Sequence, residues 1–315
     1  MYRLIKKILL FVCVLTLTLG AALAEGADLR VVALKGSTAM GLVKLMSEDE
    51  RARFDIVAAV DEVAPLLVKG EADVACVPAN LASVLYNNTD GAVQVVAINT
   101  LGVLYIVEKG EGVQSVADLA GRTIYASGKG ATPEYALDYI LKENGIDPAA
   151  DVDIEWKSEH AECLAALTAS DAGVAMLPQP FVTTALMKSD GLRVALDLTA
   201  EWDRLGVDSS LITGVAVARR AFAEEHPDAL DAFLDGYAAS VEWVNANTEA
   251  AAKLVGEYDI VPEQVAVQAL PACNITFIAG DEMKEKLSGY LAVLLEAEPK
   301  AVGGKLPGED FYYVR

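Results

Sequence analysis

Histidine and cysteine are scarce in this chain of 315 residues, at two and four. His160 and His226 have no metal-ligating spacing such as H-x-x-x-H, and no C-x-x-C pair occurs. His160 with Glu162 and Cys163 offers ligands too few and too scattered along one helix start to close a zinc shell, so neither metal nor cofactor is expected. A G-x-S-x-G elbow, a P-loop and a dinucleotide fingerprint are missing too, and Gly128-Lys129-Gly130 lacks the phosphate-loop spacing. Positive charge is short: 25 Lys and Arg stand against 46 Asp and Glu, a net charge of −21. Such a surface excludes nucleic acid and anionic lipid as partners, because both need a basic face. A small anion stays possible, since local donors decide that.

Long apolar runs are confined to Ile8–Leu19. Arg3, Lys6 and Lys7 precede this run and Ala22-Leu23-Ala24 follows it, the pattern of a signal peptide cleaved after residue 24. A membrane anchor is the alternative, but about a dozen apolar residues are short for a bilayer. Cleavage would remove those three basic residues and no acidic one, taking the charge from −21 to −24. Cys13 lies inside the run without the spacing of a lipid-modified N-terminus. Cys76, Cys163 and Cys273 sit among apolar and small residues and are expected as buried thiols rather than as a disulfide plus one.

What is present is an alternation. Leu29–Leu34 reads as a strand, Lys35-Gly36-Ser37-Thr38 as a loop, and Ala39–Met46 as a helix. Phe54–Val60, a helix over Asp61–Gly70 and a strand over Ala72–Val77 follow, ending at Pro78. About a hundred residues later the order returns: strand Thr123–Ala126, a small-residue loop, helix Pro133–Asn144, strand Val152–Trp156, helix His160–Ala169, strand Gly173–Leu177 and Pro178. Gly70–Pro78 aligns without a gap on Ser170–Pro178, with Ala72, Val74, Ala75 and Pro78 repeated as Ala172, Val174, Ala175 and Pro178. This predicts an α/β fold of two lobes, each a mostly parallel sheet flanked by helices, with both glycine loops at strand carboxyl ends where ligands of such sheets sit.

The extended runs Val93–Val107 and Leu211–Ala218, interrupted at Gly102 and Gly214, read as strand crossings between lobes. Ala221–Asn247, Thr248–Gly256, Pro262–Leu270 and Glu282–Ala297 read as further helices. The expected division is residues 28–101 with 215–315 in the first lobe and 102–214 in the second. Glu159 and His160 open a helix just after a strand, so they face the space between lobes. Asn80 and Gln179, beside the strand-end prolines, offer donors and acceptors to the same space. His226 precedes Pro227 at a helix start and reads as an exposed cap-region residue.

The two glycine-loop lobes, the Gly70–Pro78 run, Ser115–Ile124 and the stretch from His226-Pro-Asp-Ala-Leu to Glu242-Trp-Val-Asn-Ala resemble the solute-binding proteins of ABC transporters. Within them the chain is similar to the nitrate/sulfonate/taurine-type branch, which includes binders of thiamine precursors. The resemblance implies the type II periplasmic binding fold, a monomer that closes on a small-molecule ligand and passes it to a membrane permease, a periplasmic location and no catalysis. Carried over by position, the cleft would hold Lys35, Ser37 and Thr38 from the first loop, Pro78 and Asn80 beyond the third strand, and Thr100 at the crossing. From the second lobe it would hold Ser127, Lys129, Ala131 and Thr132, then Glu159 and His160, and Gln179; Thr213 would join at the return crossing. Both loops suit a sulfonate- or nitrate-like anion. A flat heterocycle stacked on Tyr86, Tyr125, Tyr135, Trp156 or Phe181 is the alternative, as is an enzyme using Glu159 and His160 as acid and base. The cysteine-rich motif of the related pyrimidine-synthesising enzymes is missing, which counts against the enzyme.

Overall fold

The computed structural model describes residues 29–207 and 209–315. The signal peptide read over Met1–Ala24 and Cys13 lie outside them. Strands are β1 Leu29–Leu34, β2 Ala52–Val57, β3 Val74–Pro78, β4 Val93–Leu101, β5 Leu104–Lys109, β6 Thr123–Ser127, β7 Asp153–Lys157, β8 Val174–Pro178, β9 Leu192–Asp197, β10 Ile212–Arg219 and β11 Ile275–Ile278. Helices are α1 Ser37–Met40, α2 Val43–Glu48, α3 Val63–Val68, α4 Ala79–Asn88, α5 Thr132–Glu143, α6 His160–Ala169, α7 Phe181–Lys188, α8 Leu198–Arg204, α9 Arg220–Glu225, α10 Pro227–Ala246, α11 Thr248–Glu257, α12 Glu263–Ala269 and α13 Gly280–Ala297. No helix among the described residues is long and apolar enough to cross a membrane.

The strands form two sheets, in the orders β11-β4-β10-β3-β1-β2 and β7-β6-β8-β5-β9. Leaving out β11, the second order repeats the first: an outer strand, the first strand, the third, a strand borrowed from the other half, and the fourth. In each sheet four strands run in one direction, and the borrowed strand, β10 or β5, enters antiparallel to both of its neighbours. The sheets are therefore mixed and less parallel than the alternation predicts. A chain that leaves one sheet at the end facing the other must enter that other sheet at its strands' carboxyl ends and so runs opposite to them, which is how the crossings supply the antiparallel members.

Period-two burial explains the layers. In the first sheet Val31, Ala33, Val74, Cys76, Ala216 and Ala218 face one core, with Leu230, Phe233, Leu234 and Tyr237 of α10. Val32, Ala75, Val77, Val215 and Val217 face the other, with Leu287 and Leu291 of α13. Each such fully buried Leu or Phe contributes about 1.5–3 kcal/mol. β3 and β8 are buried at every position, as suits strands covered on both faces. Cys76, Cys163 and Cys273 are free and buried, and burial pushes their thiols up to about 11, 11 and 12.

Several boundaries differ from the pattern. The helix expected over Ala39–Met46 is two short helices, α1 and α2. The one over Ala221–Asn247 breaks at His226, because Pro227 has no N–H to continue the first helix and instead starts α10. Gly102 follows β4, and Gly214 lies within β10, paired with Pro78 on one side and Thr100 on the other.

Candidate functional site

The carboxyl ends of β1, β2 and β3 face those of β6, β7 and β8, and a cavity of about 80 Å³ lies between them. Lys35, Ser37, Thr38, Pro78, Thr100 and Thr213 line it from the first sheet's side, and Ser127, Glu159, His160 and Gln179 from the second's. The remaining four of the expected residues do not line it. Asn80 and Thr132 are fully buried beside it and satisfy one another across the halves: Thr132 Oγ1 donates to Asn80 Oδ1 at 3.2 Å, and Asn80 Nδ2 donates to the Ala301 carbonyl at 2.9 Å. Ala131 is buried as the N-cap of α5, and Lys129 is exposed on the loop before it.

The two halves touch at the cavity wall, where Ser37 Oγ donates to the Gln179 carbonyl at 3.0 Å. The Gln179 side-chain oxygen is occupied, its Oε1 accepting from Thr183 Oγ1 at 2.9 Å. Thr38 and Thr100 hydroxyls are also spent, on the Leu34 carbonyl at 2.8 Å and Asn99 Oδ1 at 3.0 Å. Thr213 is different: among the described residues its buried Oγ1 has no partner. Leaving such a group unpaired costs about 1–3 kcal/mol, which a bound solute can recover.

Charge at the site is nearly balanced. Lys35 Nζ lies 3.4 Å from Asp259 Oδ2, a solvent-exposed pair worth little. Glu159, exposed at the rim, makes no ion pair among the described residues. His160 Nδ1 lies 2.5 Å from Ser127 Oγ, and burial pushes the imidazole down to about 4, so it stays neutral at physiological pH. Its ring stands 5.0 Å from that of Phe181, centroid to centroid. The start of α6 is already neutralised, because Glu162 Oε2 accepts from the N–H groups of Ser158 at 2.9 Å and Glu159 at 3.3 Å. His160 bonds Ser127 rather than Glu159, so the geometry does not assemble the acid–base pair of the enzyme alternative. Among the described residues no group of three or more His, Cys, Asp or Glu is placed to hold a metal.

Pattern reading missed Ala58, Val60, Ser158 and Pro133, which also line the cavity. Ala58, Val60 and Ser158 follow the carboxyl ends of β2 and β7, so the strand-end rule that picked the glycine loops applies to them as well. Of the aromatic candidates, Phe181 alone lines the cavity. Tyr86 packs on Phe311 at 5.2 Å, Tyr135 is in the core, and Tyr125 lies under Lys157.

No curated protein matches the chain in sequence. Solved structures match its fold. An ABC transporter protein from Parabacteroides distasonis is 23% identical, over 92% of this chain and 99% of that one, with a TM-score of 0.75. The alkanesulfonate-binding protein SsuA from Xanthomonas axonopodis pv. citri, bound to MOPS, is 17% identical over 90% and 97%, at 0.71. The periplasmic nitrate-binding protein NrtA from Synechocystis is 15% identical over 78% and 70%, at 0.61. At these identities the likeness is one of fold, the two-lobe periplasmic-binding fold. The sequence model described as "ABC transporter, phosphonate, periplasmic substrate-binding protein" matches residues 41–256. With more than half of its length matched, the chain belongs to the family of periplasmic substrate-binding proteins of phosphonate-type ABC transporters.

Proposed function

We propose that this protein captures a small monoanionic solute, sulfonate- or nitrate-like, between its two lobes and delivers it to an ABC permease, acting as a monomer in the periplasm after removal of its signal peptide. The observation that carries this reading is the cavity walled by both sheets. Lys35 supplies one cation, and the Ser127 and Thr213 hydroxyls and the neutral His160 ring supply hydrogen-bonding groups. A solute touching both walls stabilises the closed arrangement, which the permease can then distinguish from the open one. Lys35 is the single cation lining the cavity among the described residues, which suits a monoanion rather than a doubly charged phosphonate. Binding without turnover fits a site whose histidine is a weak base.

The test is thermal unfolding of residues 25–315 with methanesulfonate, nitrate, methylphosphonate and aminopyrimidines. A ligand at about a thousand times its dissociation constant should stabilise the fold by roughly 4 kcal/mol. Stabilisation by aminopyrimidines alone would move the reading to a heterocycle held against Phe181 and His160. Product formed from the ligand would move it to an enzyme.

A further inference from the structure

Three polar side chains meet in the seam where the two halves share one apolar core: Asn80 at the start of α4, Thr132 at the start of α5 and Tyr290 on α13. All three are fully buried, and none of them lines the cavity. Asn80 is satisfied. Its backbone N–H donates to Thr132 Oγ1 at 3.4 Å, its Oδ1 accepts from the same hydroxyl at 3.2 Å, and its Nδ2 donates to the carbonyls of Ala301 at 2.9 Å and Gly130 at 3.4 Å. Tyr290 is the opposite case, since among the described residues its hydroxyl has no partner. Burial raises its phenol well above the ordinary value and Thr132 is the side chain that offsets this, so Thr132 stands beside the orphaned hydroxyl without meeting it at hydrogen-bond geometry. The Tyr290 ring is held by Trp202 of α8 at 5.5 Å, and Trp202 packs in turn on Tyr139 of α5 at 5.0 Å, which leaves Thr132 as the group free to change partner.

We propose that Thr132 is a positioning residue for solute capture, a hydroxyl with two alternative partners: Asn80 when the cavity walls meet, as here, and Tyr290 when the halves part. The inference rests on capture between the lobes and adds a control on its strength from outside the cavity. Thr132 Oγ1 donates its one proton and accepts from an N–H, both with Asn80, and so leaves Tyr290 unpaired. A buried hydroxyl without a partner is costly, and that cost falls on the closed arrangement alone. The Tyr290 hydroxyl therefore biases the protein toward opening, and a solute binds against that bias.

The experiment is a double-variant cycle on residues 25–315, reading calorimetric affinity for methanesulfonate and nitrate and the X-ray scattering radius of the solute-free chain. Tyr290→Phe removes the orphaned hydroxyl, keeps the ring and should fold at least as well as the wild type. It should bind about three- to ten-fold more tightly and be more compact without solute. Thr132→Val should bind more weakly and Thr132→Ser should restore wild-type affinity. In the Thr132→Val background Tyr290→Phe should leave affinity unchanged, because the phenol then has no partner in either arrangement. Altered stability with affinity and scattering both unmoved overturns the proposal. The same gain from Tyr290→Phe with valine at position 132 also overturns it, since the effect then bypasses Thr132. If the wild type binds neither anion, the capture reading for those solutes falls, and the switch of partner stands or falls on the scattering radius alone.

Discussion

The two sheets share one strand order but secure it with different residues. In the first, the chain enters β3 through Asp73, whose carboxylate is 3% exposed and is held by Arg30 at 3.0 Å and Arg219 at 2.7 Å. The aligned position before β8 is Gly173. There the buried carboxylate sits instead on the borrowed strand, as Glu108, held by Arg193 at 2.7 Å and by the N–H groups of Gly112 and Val113. A repeated topology thus fixes where strands begin and end, while the charged group that ties them together can move to a different strand. The cavity walls differ in the same way, with a cation from the first half and a neutral Ser127–His160 pair and an exposed carboxylate from the second.

The largest expected effect tests the clasps. Asp73→Ala strands two arginines and should cost about 3 kcal/mol, at the low end for a broken buried pair because both guanidinium groups are partly exposed. Glu108→Ala should cost a similar amount; denaturant unfolding of the two would show equivalence, and a loss under about 0.5 kcal/mol in either would break it. Burial raises the Asp73 carboxyl, but bonds from Arg30 and Arg219 outweigh this and leave it below its ordinary value. Its contribution is therefore present above about pH 4 and lost as pH falls through the lowered value.

His160 gives the next effect, in the second half only. With its pKa pushed down to about 4 by burial, it stays neutral while an unfolded histidine protonates near 6.5. Stability should be full above about pH 6.5 and decline toward pH 4 by on the order of 2–3 kcal/mol. Subtracting the curve of His160→Asn from that of the wild type isolates the effect; a difference that stays flat from pH 7 to 4.5 would place this imidazole in contact with water.

The glycines near the crossings come third. A Cβ on Gly214 would lie 2.6 Å from Asn99 Oδ1 and 2.8 Å from Thr38 Cγ2, and one on Gly102 would lie 2.1 Å from Thr199 Oγ1. Alanine at either should cost about 1–3 kcal/mol by overpacking. Gly214→Ala should also weaken solute binding, because it pushes on Thr38 at the cavity, whereas Gly102→Ala pushes on α8; equal binding losses would erase that distinction. The smallest effects compare the two walls directly. Glu159→Gln should strengthen and Lys35→Gln weaken methanesulfonate binding, each about two- to five-fold and less at high salt, as suits exposed charges. Changes of the same sign would show that the walls do not act as opposed charges.

Much of this architecture was legible in the letters. The Gly70–Pro78 and Ser170–Pro178 segments became β3 and β8 at matching places, since wholly buried strands must be apolar throughout. Helices α4 and α7 were not read, although Leu81 and Leu85, and Phe181 and Ala185, have helical spacing. Pro78 and Pro180 stand as the N-cap residues of these helices, a position that proline tolerates because no intrahelical N–H is needed there. At the site, ten of the fourteen residues that the resemblance implies line the cavity. The resemblance could not tell Asn80 and Thr132, which spend their polar groups on each other, from Thr213, whose hydroxyl is unpartnered.

The sequence by itself determined the alternation of strands and helices, the doubled lobe and the acidic surface, because periodicity and composition are local properties of the chain. Tertiary structure alone decided that β5 and β10 are exchanged between sheets, that His160 is neutral and bonded to Ser127, and that Lys35 and Phe181 both line the cavity between the sheets. These depend on which residues meet across long stretches of chain. Hydrogen-bond satisfaction and desolvation are set by those meetings and not by neighbours in sequence.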